Sequence, residues 1–161
     1  MKTLVSLLIS LVALCSVAWA DVNAGDTLPA FNLPTLEGQM LHSQALENRV
    51  VYIDFWASWC TTCRQSFPEL NELHHELRNQ GVVFIGINTD EDPRLAERFL
   101  RQTPVDFLIL SDKTHEVVSN FNPKGFPTAY VIGKDGVVHT VKEGYLGKGP
   151  TRDLLLQLVS R

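Results

Sequence analysis

Cysteine is scarce in this chain: three occur in 161 residues, only Cys60 and Cys63 lie beyond residue 20, and none follows Cys63. A single pair joined through a four-residue loop removes little entropy from the unfolded state, so reactivity explains it better than stapling does. A second cysteine pair is missing, which leaves a Cys-x-x-Cys zinc site two ligands short. His74 and His75 do not complete it, being adjacent rather than three to five residues apart. No basic run exceeds two residues, and 14 Lys and Arg stand against 18 Asp and Glu. A surface of that sign repels nucleic acid and anionic lipid. Internal repeats and low-complexity segments are absent too, which excludes solenoids and disordered arrays.

The one long apolar run opens the chain. Lys2, the stretch from Leu4 to Val17, and the small-x-small triplet Ala18-Trp19-Ala20 match an export signal cleaved before Asp21. The uncharged stretch from Thr3 to Ala20 also reaches the lower length limit of a retained membrane anchor. Cys15 fits lipidation poorly, because Leu14 rather than a small residue precedes it. In each case the soluble part is expected to be exported. Removing residues 1–20 takes away one charge, Lys2, so 13 basic residues face 18 acidic ones, a net of −5 over the remaining 141 residues. That length suits one domain burying roughly two-thirds of its unfolded surface.

Periodicity places the elements. Short apolar pieces at Phe31 to Leu33 and Met40 to Leu41 flank Glu37-Gly38, the pattern of an N-terminal hairpin. Val50 to Trp56 is a nearly continuous apolar run, as in a strand buried on both faces. From Thr61 to Gln80, Cys63, Phe67, Leu70, Leu73 and Leu77 form one helical stripe that stops at Gly81, with Pro68 inside it expected to kink the helix. A second buried strand spans Val82 to Ile87. Asp92-Pro93 then caps a helix carrying Leu95, Ala96, Phe99 and Leu100. Further expected elements are a strand at Phe107 to Leu110 and a short helix at His115 to Phe121. After these come strands at Ala129 to Ile132 and Val137 to Val141 about the turn Asp135-Gly136, and a closing helix marked by Leu154, Leu155, Leu158 and Val159. The order predicts an α/β fold, a central mixed sheet with helices on both faces.

This order, with Trp59-Cys60-Thr61-Thr62-Cys63 at the first strand-to-helix junction and Gly125-Phe126-Pro127-Thr128 before the late hairpin, resembles the thioredoxin superfamily. More narrowly it is similar to the exported thiol-disulfide oxidoreductases related to TlpA, ResA and the cytochrome c maturation reductases. The resemblance covers about residues 26 to 160. It implies a thioredoxin-like domain over 21–161, no cofactor beyond a redox-active Cys60-Cys63 disulfide, and a periplasmic location. It also implies exported protein disulfides as substrates and a membrane thiol-transfer protein as the recharging reductant.

The residues allow a mechanism. At a helix start, Cys60 faces unpaired N–H groups and the positive end of the helix dipole, both of which favour thiolate. Cys63, one turn on, can attack the mixed disulfide that Cys60 forms. Asp54 is a carboxylate in an apolar strand, where burial raises its pKa; the alternative is a solvent-facing strand end. The resemblance implies that Asp54 accepts the Cys63 proton, that Pro127 is a cis-proline facing the cysteines, and that the backbone of Phe126 holds a substrate strand. Trp59 is expected to border that groove and Trp56 to pack beneath it. His42, His115 and His139 read as surface or turn residues, and Asp90-Glu91-Asp92 as a solvated loop and helix cap.

Two departures matter. Cytochrome-maturation relatives carry a glutamate three residues after the second cysteine, where this chain has Ser66, and Thr61-Thr62 matches neither Gly-Pro nor Pro-His. Because the branch it resembles consists mostly of reductants, a reductase is expected, with an oxidant or isomerase as the rival. From another class comes a copper chaperone on the same fold, using the cysteines and a distant histidine such as His139, although its usual cysteine spacing has three intervening residues.

Overall fold

The computed structural model describes residues 21–161; the export signal or anchor and Cys15 lie outside the described residues. Seven strands and four helices follow one another as β1 (Asn32–Pro34), β2 (Met40–His42), β3 (Val50–Trp56), α1 (Thr61–Leu77), β4 (Val82–Asn88), α2 (Pro93–Gln102), β5 (Leu108–Ser111), α3 (Glu116–Phe121), β6 (Thr128–Ile132), β7 (Val138–Glu143) and α4 (Lys148–Val159). β1 and β2 form the expected antiparallel hairpin, turning at Gly38 with φ of 86°. The other five strands make one mixed sheet in the order β5-β4-β3-β6-β7. β3, β4 and β5 run parallel, and β6 and β7 antiparallel to their neighbours.

All seven residues of β3 are buried, which follows from its central place and accounts for its unbroken apolar sequence. Alternation along the strand divides the core in two. Val50, Tyr52 and Trp56 face Cys63, Phe67, Leu70, Leu73 and Leu77 of α1, Ala96 and Phe99 of α2, and Leu155 and Leu158 of α4. Val51, Ile53 and Phe55 face Phe31, Leu33, Leu46 and, from α3, Val117 and Phe121. Helices therefore cover both faces, and the N-terminal segment completes the second one.

Element ends differ most from expectation in two places. The helix begun at Thr61 runs through Pro68 but leaves α geometry after Leu77, and a 3-10 turn, Arg78–Gln80, leads to Gly81 in the left-handed region at φ 88°. The last helix begins at Lys148, six residues before the first leucine that marks it in the sequence. Gly149 and Pro150 lie in its first turn, which tolerates proline because its N–H groups have no intrahelical acceptor.

Candidate active site

The three parallel strands end together, with Trp56 opposite Asn88 and Asn88 opposite Ser111. Loops at the carboxyl ends of parallel strands are where α/β sheets build their sites. The first of these loops is Ala57 to Trp59. It closes with Cys60 N–H donating to Ala57 O at 3.1 Å and delivers Cys60 to the N-cap of α1. Cys60 and Cys63 are joined as a disulfide with a Cα–Cα distance of 5.3 Å, and Cys63 N–H donates to Cys60 Sγ at 3.1 Å. The N-cap side chain thus satisfies one orphan N–H of the first turn, and after reduction the same N–H would stabilise a Cys60 thiolate. The two sulfurs are unequal: Cys60 keeps 4% of its surface exposed, whereas Cys63 has none.

Around this pair the structure gathers most of the residues singled out in the sequence. β6 lies antiparallel beside β3, pairing Thr128 with Phe55, so the Phe126-Pro127 segment emerges next to the Cys60 turn. The Phe126-Pro127 peptide is cis. Trp59 is 71% exposed and its ring lies 5.7 Å from the Phe126 ring, centroid to centroid, so the two form an apolar ledge. Trp56 lies below, fully buried against Phe67 and Phe99 at 5.0 and 4.7 Å. On the α2 side of Trp59 a cleft of about 200 Å³ opens, bounded by Arg64, Leu95, Arg98 and Gln102.

Asp54 is buried, and of the two readings of this aspartate the solvent-facing one is excluded. It shares the α1 face of β3 with Tyr52 and Trp56, and its Oδ2 has no hydrogen-bond partner. Burial pushes its carboxyl well above the usual carboxylate range, because no cation or donor offsets the cost of charging it there. Burial, and less strongly the neighbouring Asp54 charge, push the Tyr52 phenol up as well.

Two readings from the sequence change. Asp92 caps α2 as expected, accepting from Arg94 N–H at 3.0 Å. Asp90 is not in a solvated loop: it is 6% exposed, and its carboxylate accepts from Ser58 N–H, Ser58 Oγ and Asn88 Nδ2 at 2.9, 2.9 and 2.8 Å. A signal was present, since Asn88-Thr89-Asp90 directly follows a fully apolar strand and so starts from inside the core. His139 does not approach the cysteines. It sits near the Ile132–Val138 end of the β6–β7 pair, on the order of 13 Å of strand from the Thr128–Glu143 end that borders the site, and contacts Asp135 at 3.2 Å. The copper arrangement through His139 therefore has no geometry. Ser66, three residues after the second cysteine, is buried and donates to Cys63 O at 3.2 Å.

Comparisons with known proteins agree with this geometry. The family model described as Redoxin matches residues 23–155. The thiol-disulfide oxidoreductase ResA of Bacillus cereus (strain ZK / E33L) is 30% identical over 114 residues, 71% of this chain; the match spans 66% of that relative's length, just short of two thirds. ResA of Geobacillus kaustophilus (strain HTA426) is 30% identical over 127 residues, covering 79% of this chain and 73% of the relative. Among solved structures, a candidate thiol:disulfide interchange protein DsbE from Chlorobium tepidum superposes with a TM-score of 0.81 at 31% identity, covering 86% of this chain and 99% of that one. MTB dsbF, solved in mixed oxidised and reduced forms, gives 0.75 at 25% identity, with 82% and 99% covered. With a thioredoxin-like sheet, a Cys-x-x-Cys disulfide at a helix N-cap and relatives of this kind, the chain belongs to the Redoxin family, among the ResA-like thiol-disulfide oxidoreductases.

Proposed function

We propose that this protein is an exported disulfide reductase that cycles Cys60 and Cys63 between dithiol and disulfide on the disulfides of other exported proteins. The observation that carries this reading is the pair itself: two sulfurs bonded at the mouth of a 17-residue helix, only one of them reachable. The reduced Cys60 thiolate attacks one sulfur of a client disulfide, forming a Cys60–client bond and expelling the first client thiolate. Cys63, losing its proton to Asp54, attacks Cys60 Sγ, re-forms the internal disulfide and expels the second client thiolate. Two electrons pass to the client, and a membrane thiol-transfer protein returns two electrons to the pair.

Each remaining residue has a role in that cycle. Asp54 suits a proton acceptor because its burial holds the carboxyl above its ordinary range, so it can take up and release a proton nearer neutrality. Trp59 and Phe126 offer an apolar ledge for the client chain beside the cysteines, and the backbone preceding Pro127 offers it strand-like hydrogen bonds. No cofactor beyond the disulfide enters the cycle. Export rests on residues 1–20, with the periplasm as destination, and apocytochrome c is one fitting client because the chain is similar to maturation reductases.

Equilibration with glutathione tests the direction of electron flow. A reductase is expected to lie near the thioredoxin value of about −270 mV; a potential near the DsbA value of about −120 mV would make the protein an oxidant. A mature N-terminus at Asp21 in a periplasmic extract is the expected result for export.

A further inference from the structure

We propose that Asp90 is the positioning residue of the redox turn, its carboxylate fixing Ser58 by two hydrogen bonds so that Cys60 meets Cys63 in the geometry of the disulfide. The inference rests on the thiol-disulfide reading above and deepens it.

The backbone from Trp56 to Cys60 leaves little unassigned. Trp56 O accepts from Thr89 N–H at 3.0 Å, Ala57 O accepts from Cys60 N–H at 3.1 Å, and Ser58 N–H donates to Asp90 Oδ2 at 2.9 Å. Ser58 Oγ donates to the other oxygen, Oδ1, at 2.9 Å, so the carboxylate grips main chain and side chain of one residue together. Such a two-pronged contact fixes orientation as well as distance. Asp90 is itself held, its Oδ2 accepting from Asn88 Nδ2 at 2.8 Å and its N–H donating to Asn88 Oδ1 at 3.1 Å. Asn88 in turn accepts at its carbonyl from Asp112 N–H at 2.8 Å, and Asp112 receives Val117 and Val118 N–H of α3. A continuous set of hydrogen bonds therefore runs from the start of α3, across the ends of β5 and β4, to a residue two before Cys60. A carboxylate that is 6% exposed and satisfied by three donors is costly to disturb, and the Cys60 turn is the segment it holds.

This arrangement makes a claim that a contribution to overall stability alone would not. If the grip on Ser58 favours the bonded arrangement of the sulfurs, weakening it must shift the redox equilibrium towards the dithiol. Asp90→Asn places an amide donor against existing donors. It is expected to lower the equilibrium constant for disulfide formation about tenfold, which raises the potential by about 30 mV. Ser58→Ala loses only the hydroxyl bond and is expected to shift it about threefold in the same direction, while Ser58→Thr, which keeps the hydroxyl, restores the wild-type value. The double variant Ser58→Ala/Asp90→Asn should move no further than Asp90→Asn, since both changes act on one contact.

The test is equilibration of wild type and variants with glutathione, read by alkylation of free thiols, alongside thermal unfolding of both redox forms. A lowered melting temperature with equilibrium constants for disulfide formation within a factor of two of wild type overturns the proposal and leaves Asp90 as a structural residue. Should Asp90→Asn not fold, the Ser58→Ala and Ser58→Thr pair decides: no shift in the first, or no restoration in the second, overturns it as well. Failure of the wild-type protein to reduce insulin would instead count against the reductase reading, because the shift in potential is measured without a client.

Discussion

At the residue scale, the two cysteines differ in ways that separate their roles. Cys60→Ser removes the one reachable sulfur and should abolish insulin reduction, whereas Cys63→Ala should leave long-lived mixed disulfides, visible as client-sized adducts on non-reducing gels. Asp54 gives a prediction in pH. Its carboxyl is held above the unfolded value, so the stability it contributes is full below about pH 4, the unfolded carboxylate range, and is lost as pH rises towards its raised folded value. The loss proceeds at about 1.4 kcal/mol per pH unit across that window. Asp54→Asn should therefore make the oxidised protein more resistant to urea at pH 7 and flatten its stability profile, while slowing turnover most near neutrality. An unchanged pH-rate profile would return Asp54 to packing alone. Cys60 and Cys63 were legible because they sit in a short motif at a junction that periodicity locates, whereas the part given to Pro127 came from the family resemblance. Asp90 was only faintly legible: Asp90-Glu91-Asp92 looks like solvated charge, and although its third member was recognisable as a helix cap, the fold is needed to show that its first turns inward.

At the element scale, the site depends on how closely β4 approaches the β3–α1 layer. Gly86 lies opposite Asp54 in the register, and a Cβ there would come within 2.8 Å of Ile109 Cδ1, 3.1 Å of Trp56 Nε1 and 3.3 Å of Phe107. Gly86→Ala should cost about 1–3 kcal/mol of stability in urea unfolding, the usual range for overpacking a core. Because it pushes on the indole beneath the redox turn, slower insulin reduction should accompany it. Strand and helix assignments were most legible where one face is continuous, as in β3 and α1. They failed at ends, where α4 begins with Lys148-Gly149-Pro150 before any periodic leucine. A helix start without a capping side chain leaves no sequence mark, and Gly147 provides none.

For the whole molecule, the N-terminal segment closes the fold as well as preceding it. Single bridges tie Thr27 to Val137 and Thr35 to Leu110, so the segment reaches β5 at one sheet edge and the turn before β7 at the other. Between them it lays Phe31, Leu33 and Leu46 over the second face of the sheet. Burying three such side chains contributes roughly 5–9 kcal/mol, comparable with the whole stability of a small domain. A chain beginning at Arg49 should accordingly bind a hydrophobic dye and lose cooperative unfolding. A cooperative transition with unchanged midpoint would show the segment to be dispensable.

The difference between one grazed sulfur and one sealed sulfur also sets the order of events on the protein. Any thiol or disulfide that approaches the pair finds the same atom first, and two such visitors must take turns at it. Competition at a single point of contact makes throughput depend on the ratio of the two visitors rather than on the abundance of either alone.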